Sequence, residues 1–203
     1  MEASVKRSRE ELLSLVRAML PEKRFSHTLA VEEEALFLAG ELAPEFSDNI
    51  SRAALLHDVT KYFSMEEHLA LCHDVSTEDE KSPETLHALS GAEYAKKMLF
   101  ESDEVCRMIE KHTTGDSNMT LSEMIVFVAD YTEKTRTHAS CQKERELLHA
   151  SLQGSREEKI GALKKSVIRI LESTVGYLKE KNSFIHPRTI LALESLKERA
   201  SEE

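Results

Sequence analysis

Residues 53–62 read Ala53-Ala54-Leu55-Leu56-His57-Asp58-Val59-Thr60-Lys61-Tyr62, an apolar helical run that ends on a histidine and an aspartate side by side. Neutral imidazole and ionised carboxylate are donors that divalent iron, manganese, cobalt and zinc accept, and burying them without a partner is costly. Alone, such a dipeptide is more often a helix-end histidine beside a solvated aspartate. His73-Asp74, which leads into an acidic stretch, reads that way. His57-Asp58 is set apart by its company: along the series His27, His57, His87, His112 and Asp130 the steps are 30, 30, 25 and 18 residues. Each step holds a helix, a loop and a return, so a bundle can aim all of these side chains into one interior, as di-iron carboxylate bundles do. Adjacent helix positions diverge by about 100°, which still lets His57 and Asp58 approach a metal pair from different sides.

Asp130 lies in the strongly apolar stretch MIVFVADYTEKTR, residues 124–136. A carboxylate there requires a ligand or a tight salt bridge. Glu133 and Arg136 follow on a related face, equally readable as a mutual ion pair or as phosphate contacts. Taken singly, His27 and His87 read as satisfied or half-exposed histidines; together with His112 they complete the second half of a two-metal site. His68, His138, His149 and His186 have no comparable context and are assigned no chemistry.

Six glycines and four prolines in 203 residues leave little to break helices. Ser8 with Glu11, Ser64 with Glu67, Thr120 with Glu123 and Ser155 with Glu158 fit the capping box, and Ser82-Pro83 puts proline where a first turn tolerates it. The pattern predicts helices over 8–20, 26–42, 47–60, 65–73, 83–99, 102–113, 120–136, 140–152, 156–180 and 187–200, with no strand alternation, internal repeat or low-complexity segment. The acidic stretch 74–82 reads as a solvated connection. At 112–119 a histidine closes a helix, two threonines follow, and Gly115 permits a sharp turn. The chain reads as one all-α domain over 1–203, with 137–203 a helical extension that packs on the core; residues 137–182 carry few chemical signals.

A 40% hydrophobic content supports a real core. No apolar run reaches bilayer length, and the polar start MEASVKRSREE lacks a signal-peptide core, so a soluble cytoplasmic protein without a membrane partner is expected. Cys72, Cys106 and Cys141 form no CxxC pair, which suits a reducing compartment, and Cys106 reads as a small buried hydrophobe. A net charge of −10 disfavours nucleic acid as a partner. A polyphosphate substrate then needs a locally positive pocket.

The series Arg24-Phe25-Ser26-His27-Thr28, His57-Asp58 with Lys61-Tyr62, Leu86-His87-Ala88, His112-Thr113-Thr114-Gly115, Ala129-Asp130-Tyr131 with Glu133 and Arg136, and His186-Pro187-Arg188-Thr189-Ile190 resembles the HD-domain superfamily. Within it the chain is similar to the YqeK-type symmetrical diadenosine tetraphosphate hydrolases, over nearly its whole length. The resemblance implies an HD-domain helical bundle with two divalent metal ions, iron first, with manganese or cobalt as alternatives. It assigns His27, His57, Asp58 and Asp130 to one metal, with Asp58 bridging to a second held by His87 and His112. The implied reaction is cleavage of diadenosine tetraphosphate to two ADP by a metal-bridging hydroxide, with Asp58 and Lys61 as catalytic residues. Arg24, Lys61, Thr113, Thr114, Gly115, Glu133 and Arg136 are the expected substrate contacts. A dinucleoside polyphosphate is the expected partner, and a homodimer stays open. The competing readings are another HD-domain nucleotide phosphohydrolase and a non-catalytic, metal-stabilised helical module.

Overall fold

Four helices begin where a hydroxyl and a glutamate three residues on satisfy each other's backbone amides. Ser8, Ser64, Thr120 and Ser155 each accept the N–H of Glu11, Glu67, Glu123 and Glu158, whose carboxylates reach back to the capping N–H. The computed structural model describes residues 6–72 and 74–202. In chain order these form α1 (Arg9–Met19), α2 (Glu22–Leu42), α3 (Ser47–Leu56), α4 (Met65–Leu71), α5 (Thr77–Glu80), α6 (Leu86–Leu99), α7 (Asp103–Lys111), α8 (Leu121–Thr132), α9 (Ala139–Ser151), α10 (Arg156–Glu180) and α11 (Pro187–Glu202). No strand occurs among the described residues, so the architecture is all-α. His73, half of the second histidine–aspartate dipeptide, lies outside the described residues.

Helices α2, α3, α7 and α8 pack together as the centre of the bundle, with α6 against α7; α10 lies on α8 and α2, and carries α11. One apolar cluster runs through all of them, from Leu38, Leu55, Leu56 and Ile109 through Ile125 and Val128 to Leu163, Val167, Leu171 and Ala192. Each fully buried aliphatic side chain of this kind contributes about 1.5–3 kcal/mol. Residues 139–202 are therefore anchored on the same core as the helices that carry the histidines.

The three largest boundary differences from the sequence expectation each have a local reason. α2 starts at Glu22 behind Pro21, so His27 stands in the second turn and not at the helix start. α3 ends at Leu56, and residues 57–63 continue as tight turns through Val59 N–H to Leu56 O and Lys61 N–H to Asp58 O. α8 stops at Thr132, leaving Glu133 at its C-terminal cap. The stretch 74–82 is not merely a solvated connection: Ser76 caps the short α5, and Asp79 is buried at 2% exposure.

Candidate metal centre

The end of α3 delivers His57 and Asp58 into the interior because the chain tightens there. His57 is fully buried, and its Nδ1 donates to Ala54 O at 2.7 Å, one turn back. His112, at the C-terminal cap of α7, makes the same bond to Ile109 O at 2.7 Å. His27 Nδ1 donates to Glu133 Oε1 at 3.0 Å. In all three rings the committed Nδ1 leaves Nε2 as the lone-pair atom, aimed inward. His27 Nε2 and His57 Nε2 are buried without a hydrogen-bond partner among the described residues. Such orphans are rare, and these two converge.

Asp58 stands between two groups of nitrogens. Its Oδ2 lies 3.2 Å from His57 Nε2 and 3.9 Å from His27 Nε2, and its Oδ1 lies 3.0 Å from His87 Nε2 and 3.9 Å from His112 Nε2. His87 Nε2 and His112 Nε2 are themselves 3.1 Å apart. Asp130 Oδ1 is 3.0 Å from His27 Nε2, without hydrogen-bond alignment, and 3.8 Å from His57 Nε2. Donors held about 2.0–2.2 Å from one ion stand roughly 3–4 Å from one another. The ligand atoms of the two trios His27, His57, Asp58 and Asp58, His87, His112 lie within 4.8 Å of one another, and the trios share the aspartate. The donor set fits divalent cations.

The histidines titrate in two directions: burial lowers His27, but Asp130 and Glu133 outweigh it and raise its pKa, whereas His112 and His87 are lowered. Burial pushes His112 down to about 3, with His57 and His87 adding to the effect, so it stays neutral. Burial likewise lowers His87. For Asp58, burial opposes ionisation, but the His57 and His87 rings, when they carry a proton toward it, outweigh burial and hold the carboxyl well below the usual range. Burial also works against Asp130, where Arg136 and His27 prevail in the same direction.

The expected substrate contacts separate into two sets. Arg24 donates to Asp58 Oδ2 at 2.8 Å, Lys61 Nζ lies 3.9 Å from Asp58 Oδ1 and 3.1–3.2 Å from the His87 nitrogens, and Arg136 reaches Asp130 Oδ1 at 2.7 Å and its carbonyl at 2.9 Å. A cavity of about 630 Å³ opens beside His27, lined by Lys23, Arg24, Tyr62, Arg136 and His138, so the acidic chain does present a basic mouth here. Glu133 is fully buried, and its carboxylate is taken by His27 Nδ1 and Thr135. It holds the His27 ring while also lining the cavity, and Arg136 Nε lies 3.9 Å from it, within ion-pair range.

Thr114 and Gly115 hydrogen-bond within their own turn. The Gly115 amide donates to Lys111 O, the Thr114 hydroxyl donates to Gly115 O, and Gly115, at φ +66°, faces Leu171 and Ala192. Its left-handed backbone serves the turn. Thr113 Oγ1 is buried without a hydrogen-bond partner among the described residues. The thiols of Cys72 and Cys106 are pushed up to about 11 by burial, which suits inert cysteines.

Comparison with known proteins agrees with this geometry. Residues 24–135, which contain His27, His57, Asp58, His87, His112 and Asp130, match the HD domain. The chain belongs to the HD-domain family. It is 32% identical to the symmetrical bis(5'-nucleosyl)-tetraphosphatase of Halalkalibacterium halodurans, over 93% of this chain and 97% of that protein. The enzyme of the same name from Staphylococcus aureus is 29% identical, over 89% and 90%. The HD-domain chain also superposes on the crystal structure of a predicted HD superfamily hydrolase involved in NAD metabolism from Clostridium acetobutylicum, with a TM-score of 0.85, 30% identity, and coverage of 96% and 100%. No helix of the described residues is long and apolar enough to cross a membrane.

Sequence reasoning missed the role of Glu133, the cavity wall at Lys23 and Tyr62, and the partners of Asp79. Glu133 was one turn from Asp130, but nothing in the chain marked it as the acceptor for His27, which lies 106 residues away. Tyr62 follows Lys61 directly, and its proximity to the histidine–aspartate pair was the available signal.

Proposed function

We propose that this chain is a metal-dependent symmetrical dinucleoside tetraphosphatase that converts diadenosine tetraphosphate to two ADP. The observation that carries the reading is the shared aspartate: Asp58 offers one oxygen to His27 and His57 and the other to His87 and His112, beside a basic cavity. The names of the relatives support the substrate class. His27, His57, Asp58 and Asp130 would hold one divalent ion, and Asp58, His87 and His112 a second, with iron the first expectation and manganese or cobalt able to substitute. When bound, such a pair supplies Lewis-acid charge on phosphate oxygens and a water acidified toward neutrality.

The chain's own residues do the rest. Nδ1 bonds to Glu133, Ala54 and Ile109 fix three imidazoles in the tautomer that presents Nε2. Arg136 fixes Asp130, and Arg24 and Lys61 flank Asp58 with charge placed to meet the phosphates. Burial lowers the Lys61 ammonium, partly offset by Asp58 and Asp130. A non-catalytic metal module has no use for a cavity of about 630 Å³ lined by Lys23, Arg24 and Arg136. The test is product analysis with iron, manganese or cobalt supplied: ADP as the only nucleotide product supports symmetrical cleavage, and AMP with ATP contradicts it. Oxygen-18 water should place one label on the β-phosphate of one ADP of each pair.

A further inference from the structure

Beyond the metal centre, a second cavity of about 430 Å³ is walled by Tyr131, Ser140, Ser173, Thr174 and Tyr177, and it shares Arg136 and His138 with the basic cavity. The character of the surface changes across those two shared residues. On the metal side lie Lys23, Arg24 and Arg136, suited to phosphate; on the far side lie two aromatic rings and several hydroxyls. Tyr131 is held in place, its hydroxyl 2.7 Å from Ser140 Oγ and 3.0 Å from Ser173 Oγ. Tyr177 is 54% exposed, and its only ring contact among the described residues is Lys181 Nζ at 5.9 Å. All but Tyr131 and Arg136 of these lining residues come from the stretch beyond residue 137, which otherwise carries no chemistry.

We infer that this cavity is a nucleoside subsite: one purine end of the substrate stacks on Tyr177, while its diphosphate passes Arg136 and His138 to reach the metals. The inference rests on the dinucleoside reading above and extends it. A bond cleaved in the middle of a tetraphosphate leaves a nucleoside two phosphates away on each side, so at least one base must find a surface outside the metal cleft. An aromatic face accepts any base, and hydroxyls such as those of Ser140 and Thr174 pair with base or ribose edges. Helices α9 and α10 then have a binding role as well as a packing one.

The chain has no tryptophan, so Tyr177→Trp introduces a single reporter at the surface of this cavity. In metal-loaded Tyr177→Trp, ADP should quench the fluorescence saturably and pyrophosphate should not. Tyr177→Ala should raise KM for diadenosine tetraphosphate about 10-fold or more, the scale of losing one stacked base, with a smaller change in kcat, and Tyr177→Phe should restore it. An unchanged KM in Tyr177→Ala, together with no quenching by ADP in Tyr177→Trp, overturns the subsite and leaves the tetraphosphatase reading intact. Saturable quenching by ADP in a chain that leaves diadenosine tetraphosphate uncleaved sustains the subsite and removes the tetraphosphatase reading.

Discussion

Two buried histidine–aspartate clusters stand among the described residues, and they differ in how their ring nitrogens are used. At the metal centre, Nδ1 atoms are tied to the protein while His27 Nε2 and His57 Nε2 are left without hydrogen bonds, facing Asp58 and Asp130. At the other cluster, Asp79 Oδ1 accepts from His186 Nε2 at 3.0 Å and from Arg188 at 3.1 Å, Oδ2 accepts from the Ser76 hydroxyl at 2.6 Å and amide at 3.0 Å, and His186 Nδ1 accepts the Arg188 amide at 3.1 Å. That second cluster is closed and ties the start of α11 to α5. The first cluster leaves two inward nitrogens, those of His27 and His57, unpaired among the described residues, whereas both ring nitrogens of His186 are used.

The largest expected effect breaks the open cluster. Asp58→Ala, which removes the oxygens facing both groups of histidines, should lower diadenosine tetraphosphate turnover by at least ~100-fold, beyond the scale of losing a residue that merely orients a ligand. Steady-state assays with metal in excess check this. Glu133→Ala and Arg136→Ala sharpen the comparison by loosening His27 and Asp130 without removing a donor; each should cost about 10–100-fold in metal affinity or rate, read by metal titration and kinetics. Arg136→Ala should leave ADP as the sole nucleotide product.

Asp79→Ala should act in the opposite way. It should cost about 2 kcal/mol of stability, because His186 and Arg188 lose a buried acceptor, while metal content stays at the wild-type level. Denaturant unfolding and elemental analysis of the same preparation check both halves. The smallest effect is its pH dependence. Burial would raise the Asp79 carboxyl, but the Ser76 hydrogen bonds, Arg188 and His186 outweigh it and lower its pKa in the folded state. A carboxylate lowered on folding adds stability above its unfolded pKa of about 3.9, and that stability is lost as the pH falls through the folded value. The gap between wild type and Asp79→Ala should therefore narrow below about pH 4.

This contrast also marks what the chain's sequence disclosed. The four capping boxes and the apolar run before His57 were legible because they are local, and so was the separation of the ligand candidates by a helix and a return. His186 was passed over because its partner lies 107 residues away, and the bond between Glu133 and His27 was out of reach because it spans 106 residues. Thr114 and Gly115 resembled a phosphate-binding turn in composition, yet their polar groups are used within the turn itself. Local pattern names donors; only the fold decides which of them remain free.

The central claim is that Asp58 joins two metal positions, and calorimetric titration of chelator-stripped protein with manganese, checked by elemental analysis, tests it most directly. Wild type and Asp79→Ala should each bind two ions per chain, and Asp58→Ala should lose at least one. Two ions retained in Asp58→Ala, or none bound by wild type, would contradict the account.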